Sequence, residues 1–171
     1  MFIAAQIMGI LVLILHILSM QMNDKKKIIF MLVLINIFSA INFILLGSVS
    51  GALICGFAVM QVMVNKYFES KMDRVPKSIV VIYIVISIII GVVSFKKLVD
   101  VIPTICSIMY SITILQSKEK NIRILSLVNM LLWVVFDLSY GAYTTVLSDF
   151  VTVISTLVGM YRFDYKKIKK D

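Results

Sequence analysis

The stretch KYFESKMDRVPK, residues 66–77, sits between two almost unbroken apolar runs, at about 50–66 and 78–95. Its basic residues, Lys66, Lys71, Arg74 and Lys77, mark it as a connection retained on the cytoplasmic side of a membrane. Working outward, apolar runs and short polar connections alternate through all 171 residues. A helix needs about 20 mostly apolar residues to cross a hydrocarbon core of roughly 30 Å. Seven such runs can be read, at about 2–22, 28–46, 50–66, 78–95, 100–116, 122–139 and 143–161. They predict an all-α integral membrane protein of seven transmembrane helices, with no soluble domain left over.

The basic residues order these helices across the bilayer. Lys25, Lys26 and Lys27 follow the first run, and the group at 66–77 follows the third. Lys118, Lys120 and Arg123 follow the fifth, and Arg162, Lys166, Lys167, Lys169 and Lys170 follow the seventh. Those 15 residues fall on one side, against Lys96 and Lys97 on the other. Cytoplasmic connections carry the Lys/Arg excess, so the N-terminus is expected outside and the C-terminus inside. A six-helix count would break the alternation.

Composition excludes several classes. The chain is 61% apolar, against about 45–50% for soluble domains, and its mean hydropathy is +1.04. The net charge of +8 comes from short connections, not from a groove-tracking face, so no nucleic acid partner is expected. Cys55 and Cys106 lie inside apolar runs, with no spacing for a disulfide framework or a metal. The first run has no basic segment before it and no cleavage signal after it, so it is expected to stay as a helix. No glycine-rich phosphate loop, nucleophile–base pair or protease-like Gly-x-Gly-Asp context is found, so neither an enzyme nor a cofactor is expected.

Residues 20–53 and 114–147 resemble each other at an offset near 94. Gln21 with Lys25–Lys27 corresponds to Gln116 with Lys118–Lys120. Asn36 corresponds to Asn129, and Leu45–Val49 to Ser139–Tyr143. This points to a duplicated three-helix unit. The expected divisions are 1–68 for the first repeat, 69–97 for a linker containing the fourth helix, and 98–171 for the second repeat with the basic tail. Three helices would invert the second copy, and the fourth helix restores a parallel relation. That helix is Val/Ile-rich and is expected to face lipid.

The stretch Leu132–Trp133–Val134–Val135–Phe136–Asp137–Leu138–Ser139–Tyr140–Gly141–Ala142–Tyr143, running into Asp149, resembles the second half of the YgjV-type bacterial inner-membrane proteins. So do Gln6–Ile7–Met8–Gly9 and Ser19–Met20–Gln21. A more distant resemblance is to the SWEET, SemiSWEET and PnuC carriers, which share a 3+1+3 plan of parallel repeats. It implies passage of a small polar solute such as a sugar or vitamin precursor, with Trp133 at a pocket position. This chain has Asp149 near where those carriers have an asparagine. It also lacks the proline that precedes the glutamine in their Pro-Gln motif.

A carboxylate at mid-bilayer costs about 2.5–3.5 kcal/mol, so Asp137 and Asp149 are the prime candidates for a solute pathway. Asn129, Trp133 and Asp137 recur every four residues and share a helix face. Asn36, Ser39 and Asn42 offer polar groups in the first half. The candidate substrate-binding residues are therefore Trp133, Asp137, Asp149, Asn36, Asn42 and Asn129. For Asn36 and Asn129 the plainer reading is interhelical hydrogen bonding. Asp137 lies about 5 Å from its helix end at 1.5 Å per residue, so it could instead face headgroups. His16 reads as a structural residue, Gln6, Gln61 and Asn65 as interfacial, and the methionines as packing. The expected role is a passive or proton-linked transporter in a bacterial inner membrane, with a homo-oligomer possible. The alternative is a membrane scaffold or accessory subunit. Polar residues converging on an axial cavity favour the first, and a dry interior favours the second.

Overall fold

The computed structural model describes residues 1–20, 25–72, 75–116 and 119–161. Gln21, Arg74, Lys118 and the tail residues Arg162, Lys166, Lys167, Lys169 and Lys170 lie outside the described residues, so the charge argument at those positions stays with the sequence. Among the described residues there are seven α-helices, a single 3-10 turn and no strand. They are α1 (Phe2–Met20), α2 (Lys25–Leu45), α3 (Val49–Met72), α4 (Lys77–Ser94), α5 (Val101–Ile114), α6 (Glu119–Tyr140) and α7 (Tyr143–Met160). Val and Ile are modest helix formers in water. In lipid the backbone must satisfy its own hydrogen bonds, and a helix does so within one segment.

Three helices are long and apolar enough to cross a membrane by composition alone, namely α1, α3 and α4. In the others the apolar stretch is shorter, at Ile29–Leu45, Leu98–Thr113, Ile124–Tyr140 and Tyr143–Val158.

Two boundaries differ from the sequence reading. Helix α3 continues through Lys66 and Lys71 to Met72, past the repeat boundary placed at 68. Its charged end has no helix breaker before Pro76, which stands just ahead of α4 with φ −61° and ψ 141°. At the other end of α4, Leu98–Asp100 form a 3-10 turn, so Asp100 belongs to the connection and not to α5.

The six helices α1, α2, α3, α5, α6 and α7 form a ring, each packed on the next, with α7 closing against α1. Helix α4 packs outside the ring on α3 and α5. Its few polar side chains face those neighbours: the Tyr83 hydroxyl donates to Asn65 Oδ1 at 3.0 Å, and Ser87 pairs with Ser107 at 2.7 Å. The outer face of α4, including Val81, Val85, Ile89, Val92 and Val93, is exposed.

The α2–α3 and α6–α7 turns are built alike. Gly47 and Gly141 have φ of +80° and +72°, the left-handed region where glycine carries no Cβ penalty. In the first turn the Ser48 N–H donates to the Phe43 carbonyl at 2.8 Å and the Gly47 N–H to Ile44 at 3.1 Å. In the second, Ala142 donates to Asp137 at 2.9 Å and Gly141 to Leu138 at 3.2 Å. Both are Schellman turns, which satisfy carbonyls that a helix end leaves open. Both place the next helix in an antiparallel return.

Candidate functional site

The ring encloses a cavity of about 330 Å³. All six ring helices contribute to its wall and α4 contributes nothing. Ligand pockets run from about 300 to 1,000 Å³, so this one suits a small molecule. Asn36, Asn129, Trp133, Asp137 and Asp149 line it. Asn42 does not. It is 1% exposed and packs where Gly9 of α1 leaves room beside it. Its position on α2 turns it toward α1, away from the ring's interior.

Among the described residues the two aspartates are the acidic side chains of the wall, and each, like Asn129 Oδ1, has a buried oxygen without a hydrogen-bond partner. Asp137 stands in the last turn of α6, where the Schellman turn engages its carbonyl and fixes the backbone. It is 2% exposed, and its Oδ1 has no hydrogen-bond partner. Nearness to a helix end therefore does not bring it to the surface. Asp149 is on α7 and its Oδ2 is likewise unpartnered. The two carboxyl groups interact electrostatically. Among the described residues no lysine or arginine lines the cavity.

The remaining candidates are more occupied. Asn129 Nδ2 donates to the Cys106 carbonyl at 3.1 Å, which ties α6 to α5. Asn36 Nδ2 donates to its own helix at Leu32, 2.8 Å away. The Trp133 indole stacks on Phe43, with centroids 5.8 Å apart and planes at 23°. Phe136 meets it edge-on at 5.6 Å. One indole face is therefore already covered, and Trp133 is part of the wall's packing as well as its lining.

His16 also lines the cavity, and its Nδ1 lies 3.2 Å from Thr152 Oγ1. Thr152 donates its one hydroxyl proton to the Ser148 carbonyl at 2.9 Å. The imidazole therefore donates from Nδ1 to the threonine oxygen. Of the residues read as interfacial, Gln61 and Asn65 are buried between helices. Gln61 is 1% exposed and donates to Ser111 of α5 at 3.2 Å. Asn65 accepts from Tyr83. They lie about three and two turns before the end of α3, at 3.6 residues per turn, on the side that packs against α4 and α5.

At one end of the ring lies a group of side chains of which the sequence singles out only Trp133. Phe43, Trp133, Phe136 and Tyr140 form a continuous aromatic cluster. Asp100, 1% exposed, fastens it. Its Oδ1 accepts from Ser50 Oγ at 2.9 Å and from the Tyr140 hydroxyl at 2.5 Å. Its Oδ2 accepts from the backbone N–H groups of Lys96 and Lys97 at 3.0 and 2.9 Å. Burial opposes the charge on Asp100. The hydrogen bonds from Tyr140, Lys97, Ser50 and Lys96 outweigh it and hold the carboxyl below its ordinary pKa. Across the ring, Gln6 of α1 donates from Nε2 to the Gly141 carbonyl at 2.9 Å. Its Oε1 accepts from the Thr144 N–H at 3.2 Å.

These two fastenings are separated by the repeat offset. Gln6 and Asp100 are 94 residues apart, and so are Ser50 and Thr144. The same offset relates pairs of residues that line the cavity: His16 and Tyr110, Ser39 and Trp133, Phe43 and Asp137, Cys55 and Asp149, Ala58 and Thr152. The offset was legible in the sequence, and applying it to Gln6 would have found Asp100. The pairs also show a difference between the halves. Where the second half places Asp137, Asp149 and Thr152, the first places Phe43, Cys55 and Ala58.

Comparison with curated proteins and with solved structures gave no match. The family model Imp-YgjV, described as a bacterial inner membrane protein, matches residues 3–167. The apolar helices agree with that location. The chain belongs to the Imp-YgjV family of bacterial inner membrane proteins.

Proposed function

We propose that this protein is a carrier for a small polar solute, built from two parallel three-helix repeats around a central cavity. The observation that carries the reading is the pair of unpartnered carboxylate oxygens, Asp137 Oδ1 and Asp149 Oδ2, on one cavity wall. Buried polar groups ordinarily find partners, and a charged group in an apolar span that lacks one marks a pathway. The helix order supports the repeats. Exchanging α1 with α5, α2 with α6 and α3 with α7 maps each neighbouring pair of the ring onto another neighbouring pair. The two Schellman turns and the two fastenings follow the same exchange. In this reading all seven helices cross the membrane and the halves are related by about 180° around its normal. The end that the aromatic cluster seals, with Lys96 and Lys97 nearby, faces outward, and the basic connections face the cytoplasm.

The scaffold reading is favoured by Gln6, Gln61 and Asn129, whose amide nitrogens donate hydrogen bonds to neighbouring elements. It gives no role to the two aspartates. Cys55 lines the cavity and separates the readings. In a Cys106→Ser background, a small hydrophilic thiol reagent should modify Cys55 in the folded, detergent-purified protein. A thiol that reacts only after denaturation would mean a dry interior and would favour the scaffold.

A further inference from the structure

Resting on the reading of the cavity as a solute site, we propose that its ligand is a small primary amine, bound as its ammonium ion. The wall lacks partners for its acids. Asp137 is 2% exposed, yet one of its oxygens has no donor, and the same holds for an oxygen of Asp149. Among the described residues no lysine or arginine lines the cavity, and the His16 Nδ1 proton is engaged by Thr152. A ligand that carries positive charge and donors would supply what the wall lacks. A primary ammonium has both, with three N–H donors on one cationic centre. A quaternary ammonium brings charge without donors. A sugar brings donors without charge.

A bare metal ion fits poorly. Among the described residues no three His, Cys, Asp or Glu side chains are grouped to hold one. A space of about 330 Å³ is also far larger than an ion needs. The opposite wall shows what fills the rest. The first-half counterparts of the two acids are Phe43 and Cys55, and the α2 and α3 lining is otherwise apolar or uncharged, with Asn36, Ser39 and Gln61 as its polar members. The ligand therefore has two ends: an ammonium toward α6 and α7, and a carbon frame toward α2 and α3. The duplication makes this a departure from symmetry, since a pair of like halves would otherwise present like walls.

The test is thermal unfolding of the full-length protein in detergent at one fixed pH. The probes are butylamine, putrescine and phenethylamine, set against butanol, butanediol, phenethyl alcohol, tetramethylammonium and glucose. A ligand that binds only the native state raises the midpoint in a concentration-dependent way. The amines should do so, with neutral isosteres and tetramethylammonium at least tenfold weaker. Asp137→Asn and Asp149→Asn should each weaken the amine response at least tenfold. If either variant fails to fold, protection is read in the wild type: amines should slow thiol modification of Cys55 and the alcohols should not. Glucose or the alcohols matching the amines, or Asn variants that respond as the wild type does, would overturn the ammonium assignment and leave the cavity as a solute site. No response to any probe, together with an unreactive Cys55, would overturn the site itself.

Discussion

Asp137 and Asp149 are placed where an unliganded protein gains nothing from their charge. Each has a buried oxygen without a partner, and the two interact with each other. Replacing a buried group that lacks compensation often stabilises a protein. Asp137→Asn and Asp149→Asn are therefore expected to raise ligand-free stability by about 1 kcal/mol, which is roughly 2–4 °C for a chain of this size. Differential scanning fluorimetry checks this, and a clear drop in both variants would mean the carboxylates hold the helices together. Asp100 is the opposite case, because four donors meet its two oxygens. Its pKa is lowered in the folded protein, so the stability it contributes is present above the ordinary carboxylate value of about 3.9. That contribution is lost as the pH falls through the lower folded value. Asp100→Asn should destabilise the protein at pH 7 and flatten its loss of stability below about pH 4. An unchanged acid profile would remove Asp100 from the seal. Neither its burial nor its partners could be read from the sequence, because they depend on α3 and α6 arriving at the same connection.

At the scale of helices and turns, the two Schellman turns make a matched pair of tests. Gly47 has open space where a Cβ would go, and at Gly141 the nearest atom lies 3.7 Å away. Substitution at either therefore reports backbone strain rather than a clash. Gly47→Ala and Gly141→Ala should each cost about 1–2 kcal/mol. Gly51 is different, since its Cβ would stand 2.8 Å from a Phe136 ring carbon. Gly51→Ala should loosen the aromatic seal and speed thiol modification of Cys55. An unchanged rate would show that the cluster does not control entry. The helices themselves were legible from apolar runs. What was not legible was the facing of polar residues near helix ends. Gln61 and Asn65 fall close to the basic stretch and read as interfacial, and only the packing of α3 on α4 and α5 places them inside. Asn42 fails in the reverse direction. It follows Asn36 and Ser39 by helical spacing, yet the narrow approach of Gly9 turns its surroundings into a packed contact.

For the whole molecule, the inner-membrane assignment was carried by composition and by the residues around Trp133 and Asp137, and the family match agrees with it. The near-94 offset read from the sequence recurs in the two glycine turns, the two fastenings and pairs of cavity-lining residues. At the cavity the residue types at that offset differ, so residue identity alone could not match Phe43 and Cys55 to Asp137 and Asp149. The charge distribution further predicts that a reporter fused after Asp171 is active in the cytoplasm. Activity only outside it would contradict the seven-crossing order. The central claim, that a wet cavity between two like halves serves a solute, is tested most directly by sided labelling of Cys55. The Cys106→Ser protein is held in oriented membranes, and a membrane-impermeant thiol reagent is applied to one face and then, in a separate sample, to the other. A carrier that alternates its opening should be modified from both faces, more slowly from the sealed outer one. Modification from neither face, with full reaction after denaturation, would contradict the account.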